Sequence, residues 1–171
     1  MSQTKYAYLY LHPITRPFFS GEKEYELTLK RSDIACEVYE VAMLNSKSKP
    51  MGYTPLQRKN DSLKVQLRAQ KSINQQMDSR GGPGEAATLL NMGDQMESFI
   101  MDLKFDGLYR SWSFLTTKLV IDRASLPLAE SAISHVVALE ELVGKIAKNY
   151  KYRSTQFTSL KQMSFVRKLP Q

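Results

Sequence analysis

"EAATLLNMGDQMESFIMDLKFDGLYRSWSFLTTKL", residues Glu85 to Leu119, is the stretch whose reading decides the fold. Its apolar residues Leu89, Met92, Met96, Phe99 and Leu103 step by three and four, and Phe105, Leu108, Trp112, Leu115 and Leu119 continue the rhythm. On a helix of 3.6 residues per turn such steps form one stripe. The spacing predicts a single long helix of about 39 residues, roughly 58 Å at 1.5 Å each, kinked at Asp106-Gly107. Trp112 and the methionines fall on the apolar stripes, and Trp112 is expected to be buried in the core.

Working outward, Thr54-Pro55-Leu56-Gln57 has the form of a helix start. A threonine caps, a proline takes the first turn and a glutamine returns the capping hydrogen bond. This helix is expected to end at "DSRGGPGE", 78–85, with Leu56, Leu63 and Leu67 on its core side and Ile73 and Met77 flanking. "DRASLP" turns the chain after the central stretch, and Ala129, Ala132, Ile133, Val136, Val143, Ile146, Ala147 and Tyr150 define a last helix. Towards the amino terminus, Ser20 before Glu22 and Glu24 predicts a helix over 21–45, with Leu27, Ile34, Val38 and Ala42 at helical spacing. Residues 5–11 alternate as a short strand would, before His12-Pro13 and Arg16-Pro17 interrupt them. The expected architecture is all-α, an antiparallel bundle of four or five helices over 21–153. An extended arm, 1–20, precedes it and a basic, aromatic tail, 154–171, follows.

The 171 residues fit one domain, and 42% hydrophobic with 24% charged residues is the composition of a folding chain. The single cysteine, Cys36, excludes an internal disulfide and reads as a small buried hydrophobe. No leader pattern and no apolar run of about 20 residues is present, so a soluble, cytoplasmic protein is expected. No cofactor and no metal site is expected, because His12 and His135 lack ligands at helical metal-binding spacing. His135 reads as a core-edge or surface histidine. "RGGPGE" lacks the lysine and hydroxyl ending of a phosphate loop and reads as a turn. Glu140 and Glu141 are adjacent, diverge by about 100° on a helix, and cannot act as a catalytic carboxylate pair. No enzyme is expected.

What remains is charge. The net charge is +7, and the surplus sits in two blocks: six basic against two acidic residues over 51–82, and five against none over 151–171. The first block holds Arg58, Lys59, Lys64, Arg68, Lys71 and Arg80, of which Lys64, Arg68 and Lys71 share one helix face that can follow phosphates. A plainly solvated face has the same pattern. The second holds Lys151, Arg153, Lys161, Arg167 and Lys168, alternating with Tyr150, Tyr152, Phe157 and Phe165. Cations can neutralise phosphates while rings stack on unpaired bases, and the same alternation also suits a segment that docks on a protein groove.

The helix order, "QLRAQKSI", "LYRSWSFLTTKL" and "ALEELVGKIAKNYK" resemble the bacterial four-helix-bundle family that includes the accessory variability determinant of diversity-generating retroelements. The resemblance covers roughly 21–153. It implies a barrel-like homopentamer with a basic surface that binds a reverse transcriptase and its template RNA, without enzyme activity of its own. The expected function is therefore a non-enzymatic nucleic-acid-binding accessory subunit, with RNA ahead of DNA as ligand, a protein partner such as a reverse transcriptase, homo-oligomeric assembly and no membrane. A helical small subunit of an RNA-guided, CRISPR-type complex and a protein-docking adaptor bundle are the alternatives.

Overall fold

The computed structural model describes residues 26–30, 33–38, 41–80, 84–105 and 107–152. In chain order these form β1 (Glu26–Lys30), β2 (Asp33–Val38), β3 (Val41–Lys49), α1 (Pro55–Arg80), β4 (Glu85–Met92), β5 (Gln95–Phe105), β6 (Leu108–Lys118), a 3-10 turn at Leu126–Leu128 and α2 (Ala129–Lys151). The six strands make one sheet in sequence order. All neighbours are antiparallel except β3 and β4, which run parallel because α1 carries the chain back between them. The fold is mixed α/β, and the all-α bundle expected from the sequence is not what the chain adopts.

The decisive correction falls on Glu85–Leu119, which is three strands and not one helix. Two glycines reverse it: Gly93 adopts φ +64° and Gly107 φ +63°, a region that side-chain-bearing residues avoid. Met92 pairs with Gln95 across the first reversal and Phe105 with Leu108 across the second. At the expected helix kink, Gly107 instead stands in a hairpin turn, and Asp106 lies outside the described residues. The expected helix over 21–45 is likewise replaced by β1, β2 and most of β3. The expected arm over 1–20 and tail over 154–171 lie outside the described residues.

α1 and α2 cover opposite faces of the sheet. Strand alternation sends Ala86, Leu90 and Met92 of β4 to the α1 side, where they meet Ile73, Met77 and Val65. Ala87 and Leu89 point the other way, into a cluster with Val136, Leu139, Val143, Ile146 and Tyr150 of α2. Every residue of β4 after Glu85 is buried. A strand covered on both sides loses its polar alternation, which is why its sequence does not advertise a strand.

Both helices begin where the sequence indicates. At the start of α1, Gln57 N donates to Thr54 Oγ1 at 3.2 Å and Thr54 N donates to Gln57 Oε1 at 2.8 Å, the reciprocal capping arrangement. Its phase is turned by about 120°, however, with the expected flanking residues Ile73 and Met77 in the core. Val65, Ala69, Ile73 and Met77 face the sheet, while Leu56, Leu63 and Leu67, expected in the core, are exposed.

Candidate nucleic-acid interface

The described members of the basic set singled out in the sequence stand in different settings. Arg58 is committed to the fold: it reaches from the first turn of α1 to Glu97 and, at 3.1 Å, to Gln95 Oε1 on β5. Arg68 donates to the carbonyl of Ser46 on β3 at 3.3 Å. Lys64 lies 3.6 Å from the buried Asp61 one turn earlier, and with Lys59 and Lys71 it stands on the outward side of α1. Arg80 closes α1, and Lys151 closes α2 across the sheet from it. Arg153, Lys161, Arg167 and Lys168 lie outside the described residues.

A different constellation sits at the end of the β5–β6 hairpin. Directly opposed residues on antiparallel strands share a face, so the pairs Ile100–Trp112 and Asp102–Arg110 point to the α2 side. Tyr109 points to the other side, where its hydroxyl donates to Asn74 of α1. Asp102 is fully buried and accepts two hydrogen bonds from Arg110, from Nε at 2.9 Å and from Nη2 at 2.7 Å. This bidentate grip fixes the guanidinium plane. It also raises the Arg110 pKa above its ordinary value, the hydrogen bond to Asp102 being the first cause.

The fixed guanidinium stands over two rings. Its carbon stands 4.6 Å from the Phe105 ring centre and 5.7 Å from that of Trp112. Both rings remain open to solvent, Phe105 at 58% and Trp112 at 42% exposure, with Leu108 exposed beside them. Trp112 is therefore not the core residue expected from its helical spacing. Lys104 Nζ joins the cluster, 3.5 Å from both Asp102 Oδ2 and Glu85 Oε1. Ring, guanidinium and ring thus present flat π surfaces on the hairpin, in a locally neutral field of two cations and two carboxylates.

Sequence reasoning missed this cluster because it assigned Phe105, Leu108 and Trp112 to a helix stripe. The available signal was local. "FDGL" is a hairpin turn pattern, and Arg110-x-Trp112 has the two-residue spacing that puts both on one strand face.

His135 stands apart from this surface. It is 1% exposed, with Ser98 Oγ 2.7 Å from Nε2 and Thr117 Oγ1 2.8 Å from Nδ1. Burial lowers its pKa from 6.5 to about 4, so at neutral pH one ring nitrogen donates and the other accepts. Its imidazole bridges the buried hydroxyl of Ser98 and the half-buried one of Thr117 between α2 and the sheet. Among the described residues no three of histidine, cysteine, aspartate and glutamate gather as a metal would require, and no helix is long and apolar enough to cross a membrane. Compared with known proteins, the chain matches no family model, no curated protein and no solved structure.

Proposed function

We propose that this chain is a non-enzymatic binder of single-stranded nucleic acid, taking unpaired bases on the exposed Phe105–Arg110–Trp112 ladder of the β5–β6 hairpin. That ladder is the observation that supports the reading. Solvent-facing rings on a sheet are costly to leave bare, and base stacking on aromatic and guanidinium planes is the interaction they suit best. The overall charge of +7 would draw a polyanion towards the surface. Because Asp102 and Glu85 offset Arg110 and Lys104 locally, stacking carries more of the affinity than phosphate neutralisation does. The pentameric assembly and the reverse transcriptase partner implied by the family resemblance belong to a helical-bundle architecture, and the reading does not depend on them.

Trp112 is the only tryptophan, so its fluorescence reports directly on the site. Titration with a short oligouridylate should quench it, and a thymidylate of the same length tests whether RNA is preferred. Phe105→Ala and Trp112→Ala, read by anisotropy of a labelled oligonucleotide, should each weaken binding by about 1–3 kcal/mol, with little effect on duplex. The affinity should fall with salt along a shallow slope, on the order of one or two counterions released. Binding that survives both substitutions, or that tracks duplex and single strand alike, would refute the reading.

A further inference from the structure

Among the described residues, nothing packs over three leucines on the outward face of α1. Leu56, Leu63 and Leu67 are 66%, 58% and 42% exposed. At 100° per residue they fall within about 40° of one another, and at 1.5 Å per residue they run for about 16 Å. Asn60 and Gln70 continue the same line, so that Leu56, Asn60, Leu63, Leu67 and Gln70 alternate in steps of four and three. That is the spacing of a helix seam that meets another helix. Lys64 and Lys71 flank the seam on one side and Lys59 on the other.

We propose that this face docks a helix of a partner protein that carries an apolar seam and acidic flanks. The charge pattern selects that occupant. A second copy would bring lysine rims against lysine rims, an arrangement that like-charge repulsion disfavours. The only carboxylate between Leu56 and Lys71 is Asp61, which is buried and lies 3.6 Å from Lys64, so the rim is cationic along its length. A nucleic acid backbone would leave three leucines without a partner. An anionic membrane surface would call for a wider apolar face than one line of leucines interrupted by Asn60 and Gln70, whereas helix pairs use such polar seam positions to fix register. The face lies across the sheet from Trp112, so a docked helix and a bound single strand need not compete.

The test uses the full chain and a fluorescein-labelled synthetic helix with leucine on its seam and glutamate on both flanks, followed by anisotropy. Saturable binding is expected, absent for a scrambled peptide of the same composition. Leu63→Gln with Leu67→Gln should weaken it about tenfold or more. Lys59→Glu, Lys64→Glu and Lys71→Glu together should transfer preference to a peptide flanked by lysine. The variant Phe105→Ala with Trp112→Ala should bind the peptide like the parent, which separates this proposal from the nucleic-acid reading. Unaltered peptide binding by the glutamine variant would overturn it. So would tighter association with vesicles of phosphatidylserine and phosphatidylcholine than with the peptide, or a dimer in sedimentation velocity that the glutamine variant disperses.

Discussion

Replacing Ile73 by alanine tests which side of α1 is the core. Ile73 has no solvent exposure and packs among Ala69, Met77, Ala86, Met101 and Leu103. The substitution removes three buried carbons. At about 0.8 kcal/mol each this loses about 2.4 kcal/mol of transfer free energy, and an unrelaxed cavity adds on the order of 1–2 kcal/mol. The expected loss is therefore roughly 3–4 kcal/mol. Leu63→Ala removes the same number of carbons from a side chain 58% exposed. Scaled to the buried fraction, its cost is about 1 kcal/mol, with no cavity term. Urea unfolding followed by circular dichroism measures both, provided the slope with denaturant is unchanged. A second substitution sharpens the test. A Cβ at Gly84 would stand 2.4 Å from Ile73 Cγ2 and 3.1 Å from its Cβ and carbonyl oxygen, so Gly84→Ala should destabilise the parent and be partly relieved beside Ile73→Ala, which removes only the first of these contacts. If Leu63→Ala proves as costly as Ile73→Ala, the leucine line is the buried face, and both the packing of α1 and the docking proposal fall.

Trp112, at 42% exposure, should emit as a partly hydrated indole and be readily quenched by acrylamide; a strongly blue-shifted, shielded emission would place it in a core. His135 has a folded pKa near 4 against 6.5 unfolded, so its stabilising contribution is complete above pH 6.5 and is lost as pH falls from there towards 4. The loss amounts to about 3 kcal/mol at most. In His135→Asn the decline between pH 6.5 and 5, where most carboxylates are still ionised, should flatten, and an unchanged pH profile would show that the imidazole is not desolvated. Gly93→Ala should cost on the order of 1–2 kcal/mol, because φ +64° disfavours a side chain and a Cβ there would press on Met51 and Tyr53. A neutral substitution would mean that the β4–β5 reversal does not need that conformation.

The sequence by itself determined both long helices, because their signals are local. Thr54-Pro55-Leu56-Gln57 caps α1 through bonds between residues three apart, and the apolar positions of α2 mostly face the sheet as their spacing requires, Ile133 excepted. Only tertiary structure decided the phase of α1 and the nature of Glu85–Leu119. Leucine is apolar on either side of a helix, and the sheet selected the smaller face of Val65, Ala69 and Ile73 together with the polar Ser72 and Gln76. Gln76 is held there by hydrogen bonds to the backbone of Glu85. In β4 and the first part of β5, apolar residues occupy both faces, which erases the two-residue period and leaves a spacing that also fits a helix. The candidate site was hidden for the same reason. Phe105, Arg110 and Trp112 meet only when Gly107 folds β6 back on β5, and the hydrogen bonds that hold Arg110 come from Asp102, eight residues earlier and on the neighbouring strand.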